Sequence, residues 1–130
     1  MIVLDTHVWI WFISNPEYLS KRAEKAVNVA ATDKRILISS ISAWELALLV
    51  KKERLKLTLE VTDWIAKSES LPFIQFVPVT NSIALKSVNL PLPLHLEPED
   101  CIIIETASSE GELVINKNKK LLCNSPIKTI

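Results

Sequence analysis

Three acidic side chains occupy stretches of the sequence that are otherwise apolar and uncharged. Asp5 is the only formally charged side chain within residues 1–16, Glu45 is the only one within residues 36–50, and Asp100 directly precedes the apolar run 101–104. Carboxylates held within about 4–6 Å of one another repel, so a pocket that gathered them would bind protons or a counter-ion. Because no Lys or Arg lies inside these segments, the predicted counter-ion is a divalent cation.

Oxygen ligands alone favour Mg²⁺ or Mn²⁺ over zinc. Mg²⁺ commonly takes one or two protein carboxylates together with water molecules and a substrate phosphate. Such an ion lowers the pKa of a bound water, orients it for in-line attack and stabilises charge that develops on a phosphate. The three acids therefore predict metal-assisted chemistry at a phosphate group.

The elements that would position these acids alternate between strands and helices. The predicted strands are residues 2–4, 36–39, 73–79, 112–116 and, at an edge, 127–130. The predicted helices are one that follows Asp5-Thr6 and those at 19–31, 42–50, 59–70, 80–88 and 99–109. Such alternation predicts one α/β domain over residues 1–130, with a mainly parallel central sheet between two helical layers, a three-layer α/β/α arrangement.

In an open parallel sheet, ligands bind beyond the carboxyl ends of the strands. Asp5 follows the first strand, Glu45 lies one turn into the helix after the second, and Asp100 lies in the first turn of the helix that precedes the 112–116 strand. Each acid also has a structural explanation: Asp5 as a helix cap, Glu45 in a capping box with Ser42, and Asp100 as a complement to a helix dipole. Their shared position at one edge favours a common site.

Composition excludes several other classes. Basic and acidic residues number 15 each, so any nucleic acid must be held locally rather than by a global positive field. The single glycine, Gly111, rules out the dinucleotide fingerprint, the P-loop and the nucleophile elbow. Two cysteines and two histidines supply neither a four-ligand zinc site nor a disulfide framework. No apolar run approaches the ~20 residues that span a bilayer, so we expect a cytoplasmic protein.

Three segments carry a resemblance to a known family. They are LDTHVWIW at residues 4–11, ISSISAWELAL at 38–48 and LPLHLEPEDCIIIETA at 92–107. In this order they resemble PIN-domain ribonucleases, specifically the VapC-type toxins of toxin–antitoxin pairs. The resemblance implies that Asp5, Glu45 and Asp100 are metal-binding acids, that Thr6 is the hydroxyl beside the first, and that His95 opens the third motif. It also implies Mg²⁺- or Mn²⁺-dependent endonucleolytic cleavage of RNA, inhibition of translation and neutralisation by a cognate antitoxin.

The sequence departs from the family pattern near its end. Asn118 stands where the family often carries a fourth acid, and Cys101 replaces the arginine that usually follows the third acid. An amide carbonyl still binds a metal ion or its water but brings no charge, so weaker divalent affinity is expected. The alternative function is therefore a PIN-like module that binds RNA or a partner protein without cleaving.

Basic and aromatic residues indicate where a substrate or partner would bind. Lys117, Lys119 and Lys120 flank Asn118, where they would either hold a phosphate backbone or form a solvated turn; Lys117 and Lys119 are assigned to the substrate. The spacing of the four tryptophans favours core or interface positions. Trp9 and Phe12 or Ile13 share one side of the first helix, whereas Trp11 lies on another, which indicates a homodimer face or an antitoxin groove.

Two other phosphate-processing classes fit the sequence less well. A phosphohydrolase with an aspartate nucleophile also begins with a strand that ends in Asp, but it needs a second acid two residues later, where this chain has His7. A receiver domain needs adjacent acids after the first strand together with a later phosphoacceptor Asp and a Lys. This set of residues cannot be assembled from the sequence, in which Asp5 is followed by Thr6. Neither His7 nor His95 is assigned a catalytic role, because such histidines more often serve as hydrogen-bonding residues.

The resulting hypothesis is a Mg²⁺-dependent endoribonuclease. Asp5 and Asp100 ligate the ion, and Glu45 ligates it or positions the attacking water. Asn118 assists through a water molecule, and Thr6 orients the substrate or Asp5.

Overall fold

The structure, a computed structural model, describes residues 1–91 and 97–114. Its strands are β1 (Ile2–Leu4), β2 (Ile36–Ser39), β3 (Ile74–Val77) and β4 (Glu112–Val114). Its helices are α1 (Thr6–Ser14), α2 (Lys21–Thr32), α3 (Ser40–Lys51), α4 (Val61–Glu69), α5 (Asn81–Val88) and α6 (Pro98–Glu110), with a 3₁₀ turn at Pro16–Tyr18. The strand predicted at 127–130 and the last two residues of the one predicted at 112–116 lie outside the described residues.

The four described strands form one sheet in the order β3-β2-β1-β4, and every pairing among them is parallel. Ile2 of β1 lies opposite Ile36 of β2 and Glu112 of β4, and Ile36 lies opposite Ile74 of β3. Parallel neighbours require helical crossovers, which the intervening helices provide. The predicted parallel sheet is therefore confirmed, and the carboxyl ends of all four strands lie at one edge.

Alternate strand residues enter two separate cores. Leu4 and Ile36 pack with buried residues of α1, α2 and α4, whereas Val3 and Leu37 pack with buried residues of α6. Successive side chains of a strand point to opposite faces, so this division means that helices cover both faces of the sheet. The three-layer α/β/α prediction is confirmed.

Helix α3 begins two residues earlier than predicted. Ser39 caps it by accepting a hydrogen bond from the backbone N–H of Ile41 at 3.2 Å, and Ser40 is its first residue. Ser42 therefore lies inside the helix, where it cannot form the capping box with Glu45 that the sequence pattern allowed. The structural explanation for Glu45 is wrong.

The one glycine is needed for a close approach rather than for a left-handed turn. Gly111 ends α6 with an extended backbone, at φ 170°. A Cβ atom there would lie 2.9 Å from the backbone carbonyl carbon of Met1, so only glycine lets α6 turn into β4 beside β1.

None of the helices within residues 1–91 and 97–114 combines the length and the apolar content that a membrane-spanning helix requires.

Candidate active site

The three predicted acids arrive at the carboxyl edge of the sheet on different elements. Asp5 directly follows β1, and Glu45 lies on α3, which begins directly after β2. Helix α6 leads back into the parallel strand β4, so its first turn, which contains Asp100, lies at the same edge. Asp5 occupies the N-cap position of α1, but its side chain accepts no capping hydrogen bond. Helix capping therefore does not account for Asp5.

The charges of these acids act on one another. The pKa of Asp100 is raised to about 7, first by burial and then by the negative charges of Asp5, Glu45, Glu99 and Glu97. An ionised neighbour within a few ångströms disfavours a second charge, more strongly where water is partly excluded. Asp5 and Glu45 therefore lie close enough to Asp100 for their charges to oppose its ionisation.

Glu45 is held by hydroxyl groups from two helices. Thr6 Oγ1 lies 2.7 Å from Glu45 Oε1 and 2.8 Å from Ser42 Oγ, and both Thr6 and Ser42 are fully buried. Thr6 has a single hydroxyl proton, so it donates to the ionised carboxylate and accepts from Ser42. Burial raises the pKa of Glu45, the Thr6 hydrogen bond opposes that rise, and the charges of Glu99 and Glu97 add to it.

Thr6 and Ser42 therefore act on Glu45. The sequence had associated Thr6 with the substrate or with Asp5, but its side chain has no exposed surface and its hydroxyl is bound to Glu45 and Ser42. Ser42 was expected only as a helix cap. The bonds join residues 36 and 39 positions apart in the chain, and no local spacing pattern reports a contact of that kind.

Two further acids contribute to the site and were not singled out from the sequence. Glu97 occupies the N-cap position of α6 and Glu99 lies in its first turn. Both raise the pKa of Asp100 and of Glu45 through their negative charge. The available signal was local acid density, because residues 97–100 read Glu-Pro-Glu-Asp.

The side chains at this edge suit a hard divalent cation. Asp5, Glu45 and Asp100 offer only oxygen ligands, and their mutual repulsion is relieved by a positive charge. Within residues 1–91 and 97–114, no three His, Cys, Asp or Glu side chains form a ready-made metal-binding group. Mg²⁺ commonly binds only one or two protein carboxylates and keeps several waters, so the acids fit such an ion without a closed ligand shell.

Several predicted site residues lie outside the described residues. These are His95, Lys117, Asn118, Lys119 and Lys120, and their roles stay predictions.

Cys101, in place of the family's usual arginine, is half-buried. Burial raises the pKa of its thiol, and the charges of Asp100 and Glu99 add to that rise. A neutral thiol supplies none of the positive charge that an arginine would bring beside Asp100.

The tryptophans divide between core and surface. Trp9 and Trp64 are buried and pack edge to face at 5.0 Å, and Trp64 Nε1 donates a hydrogen bond to Ser14 Oγ at 3.3 Å. These two confirm the expectation of core positions. Trp44 is 53% exposed, and Trp11 is half-buried on α1. Trp11 and Trp44 therefore present the indole surface that a ligand could reach.

Comparison with known proteins identifies the family. The model of the PIN domain family matches residues 2–123. Ribonuclease VapC22 of Mycobacterium tuberculosis is 31% identical over 120 residues, which cover 92% of this chain and 88% of that protein.

Solved structures share the fold at lower identity. VapBC2 from Rickettsia felis, bound to a DNA fragment from its promoter, superposes with a TM-score of 0.73 at 20% identity, over 100% of this chain and 98% of that one. DNA-bound VapBC from Salmonella typhimurium superposes with a TM-score of 0.67 at 20% identity, over 99% and 96%. With the family match over most of its length and a relative above 30% identity, the chain belongs to the PIN-domain family.

Proposed function

We propose that this protein is a divalent-metal-dependent endoribonuclease and the VapC-type toxin of a toxin–antitoxin pair. The observation that carries the proposal is the rise in the pKa of Asp100 caused in part by Asp5 and Glu45. Acids from three distant parts of the chain oppose one another's charge at the edge of a parallel sheet, where ligands bind in this class of fold. Membership of the PIN-domain family and the likeness to a protein named as a ribonuclease support the same function.

The proposed roles of the described residues follow from their positions, and that of Asn118 follows from its place in the sequence. Asp5 and Asp100 would hold Mg²⁺ or Mn²⁺, which when bound supplies a more acidic water and stabilises charge on the phosphate. Glu45 would ligate the ion or accept the proton of the attacking water. Thr6, by donating a hydrogen bond to Glu45 Oε1, holds that carboxylate in one orientation. Asn118 is proposed to assist through a water molecule.

The proposed partners are RNA and a protein inhibitor. Because structural neighbours are toxin–antitoxin complexes, a cognate antitoxin is proposed to neutralise this chain. Cleavage of RNA in the cytoplasm would inhibit translation. Lys117 and Lys119 are proposed to contact the RNA, and the protein is proposed to act as a homodimer.

Cleavage of structured and single-stranded RNA by the purified protein, with Mg²⁺ or with EDTA, tests the proposal. Cleavage is expected with Mg²⁺ or Mn²⁺ and not with EDTA. Asp5→Asn and Asp100→Asn should each lower the rate at least about 100-fold, because each removes a charge from the metal site. The matched control is Asp63→Asn, which removes the same charge from an exposed position in the first turn of α4 and should leave cleavage unchanged.

The outcome also separates the two candidate functions. Cleavage that survives both Asp5→Asn and Asp100→Asn would refute the assignment of the acids. RNA binding by the unaltered chain without any cleavage would favour the binding-only module, for which the amide at Asn118 is the supporting observation.

A further inference from the structure

A cleft of about 580 Å³ opens beside Glu45 of the proposed metal site. Glu45 lines it together with Glu97 and Glu99, and two cations, Lys52 and Arg54, line it as well. A volume of this size lies within the range of small-ligand pockets. The cleft therefore combines the negative charge of the proposed metal site with a separate source of positive charge.

One of the cations, Lys52, lies on the same side of α3 as Glu45. Lys52 follows Glu45 by seven residues, which is two helical turns, or about 10 Å at 1.5 Å per residue. Leu48 and Leu49 lie between them and also line the cleft. The separation between Glu45 and Lys52 therefore leaves room for a nucleobase and its sugar, which would lie over the apolar side chains of Leu48 and Leu49.

The turn that ends α3 brings Arg54 back to the cleft. Glu53 adopts a left-handed conformation at φ 59°. Its N–H donates to the carbonyl of Val50 at 3.0 Å, and the N–H of Arg54 donates to the carbonyl of Leu49 at 3.0 Å. This pair of bonds is the Schellman motif, which usually requires glycine at the left-handed position. The turn fixes the backbone of Arg54 to the end of the helix.

An aromatic wall completes the cleft. Trp11 lines it and is half-buried. The centroid of its indole lies 5.9 Å from the centroid of the His7 ring. It lies 6.1 Å from the centroid of the Tyr18 ring, which it meets edge to face. These neighbouring rings limit the orientations of the indole. A fixed, partly exposed indole is a stacking platform that accepts any nucleobase.

We propose that this cleft binds the single-stranded RNA segment next to the cleaved phosphate. Lys52 and Arg54 contact backbone phosphates and Trp11 stacks on a base. The combination of two cations with a half-buried indole favours RNA over a protein partner, because one RNA strand supplies both the anionic group that the cations need and the flat ring that the indole needs. This inference rests on the proposed function, since it assigns a substrate subsite to the same active site.

Fluorescence anisotropy of the full chain with a labelled single-stranded RNA of about 12 nucleotides tests the cations. The measurement is made in EDTA at several KCl concentrations, so that binding is followed without cleavage. Replacing both Lys52 and Arg54 by Gln should weaken binding at least about 10-fold. It should also reduce the slope of log K against log salt by about 1.4, which is about 0.7 for each lost phosphate contact.

Lys51→Gln is the matched control for this pair. Lys51 is exposed on the same helix end but does not line the cleft, so its loss should change affinity less than about 2-fold with no change in slope. Equal losses from Lys51→Gln and from the double substitution would overturn the proposal, because they would show a diffuse electrostatic effect. Unchanged RNA binding by the double variant would also overturn it and would leave the cleft to a protein partner.

Stacking is tested at Trp11. Trp11→Leu should weaken RNA binding about 10-fold and Trp11→Tyr should restore most of it, because only tyrosine keeps a ring for the base. Trp44→Leu, which removes an exposed indole outside the cleft, should have little effect. Thermal unfolding of each variant verifies folding, and Trp11→Tyr binding no better than a folded Trp11→Leu would overturn the stacking role.

Failure of this inference and failure of the proposed function give different results. RNA binding that depends on Lys52, Arg54 and Trp11 in a protein that never cleaves would support the subsite while refuting the nuclease. Cleavage that depends on Asp5 and Asp100, with RNA affinity indifferent to the three cleft substitutions, would refute the subsite while supporting the nuclease.

Discussion

At the scale of single residues, Thr6 links the buried interior to the chemistry of the site. Its hydroxyl joins Glu45 and Ser42 at 2.7 and 2.8 Å. Thr6→Val should destabilise the protein by about 1–3 kcal/mol, because Ser42 loses its buried acceptor and Glu45 loses a donor. It should also raise the pKa of Glu45 further, since the Thr6 bond lowers it. Urea unfolding measures the stability, and the pH dependence of cleavage measures the change at Glu45.

Thr6→Ser is the control for that substitution. Serine keeps the hydroxyl and loses only a methyl group, so it should retain the pH profile even if it loses some stability. A pH profile that shifts equally in Thr6→Ser and Thr6→Val would show that the hydroxyl does not position Glu45.

The raised pKa of Asp100 predicts that its negative charge lowers the stability of the folded protein by an amount that depends on pH. Its pKa is about 7 in the folded protein and near its ordinary value of about 4 in the unfolded chain. The folded state therefore binds the proton more tightly. The loss of stability caused by the Asp100 charge is therefore complete above about pH 7 and becomes smaller as the pH drops from 7 towards 4. It vanishes at lower pH, where Asp100 is protonated in both the folded and the unfolded state.

Asp100→Asn should therefore stabilise the metal-free protein most at pH 8 and less at pH 5. Solvent screens a half-buried carboxylate, so the expected gain at pH 8 is on the order of 1 kcal/mol, or a few degrees in Tm. Thermal unfolding in EDTA at both pH values measures it, with Asp63→Asn as the exposed control. A lower Tm for Asp100→Asn at pH 8 would contradict the repulsion inferred at this edge.

At the scale of elements, the shortage of glycine leaves two helix ends strained. Lys34 and Glu53 hold the left-handed position after α2 and α3, at φ 56° and 59°. That conformation costs a non-glycine residue about 1–2 kcal/mol. A substitution by glycine removes this cost, but part of the benefit is offset because glycine has more conformational freedom in the unfolded chain. Lys34→Gly and Glu53→Gly should each raise stability by about 0.5–1 kcal/mol in urea unfolding.

Asp33→Gly is the matched control beside Lys34. Asp33 has an ordinary right-handed backbone at φ −84°, so glycine there relieves no strain and should lower stability. Equal effects of glycine at positions 33 and 34 would show that the left-handed backbone is not what decides the result.

The elements also show why the sequence predicted some features and not others. Strands β1 and β2 followed from short apolar runs, and Thr80, which accepts from the N–H of Ile83, was a recognisable cap for α5. The start of α3 was misplaced because serines occupy positions 39, 40 and 42, and each is a competent cap. Which serine serves depends on where β2 ends, and pairing with neighbouring strands decides that.

At the scale of the whole molecule, zero net charge conceals a local separation of charge. The chain has 15 basic and 15 acidic side chains, yet Asp5, Glu45 and Asp100 share one edge. The sequence predicted this convergence because parallel strands place their carboxyl ends together. It could not predict the cleft with Lys52 and Arg54, because that depends on how α1, α3 and α6 pack.

This concentration of charge predicts that Mg²⁺ stabilises the folded protein in a pH-dependent manner. An ion that binds only the folded state at ten times its Kd adds about 1.4 kcal/mol, or a few degrees in Tm. Protons compete for the same carboxylates. Because the pKa of Asp100 is about 7, the carboxylate is mostly ionised at pH 8 and mostly protonated at pH 6, so Mg²⁺ should raise Tm more at pH 8.

Thermal unfolding with and without Mg²⁺ at the two pH values measures this effect independently of activity. Asp5→Asn and Asp100→Asn should lose most of the Mg²⁺-dependent rise, whereas Asp63→Asn should keep it, because its carboxylate lies in the exposed first turn of α4. A rise that is equal at pH 6 and pH 8, or that persists in Asp100→Asn, would mean that Mg²⁺ binds elsewhere on the protein. The charge at this edge would then be balanced by protons alone, and the chain would lack the metal site that the proposed cleavage of RNA requires.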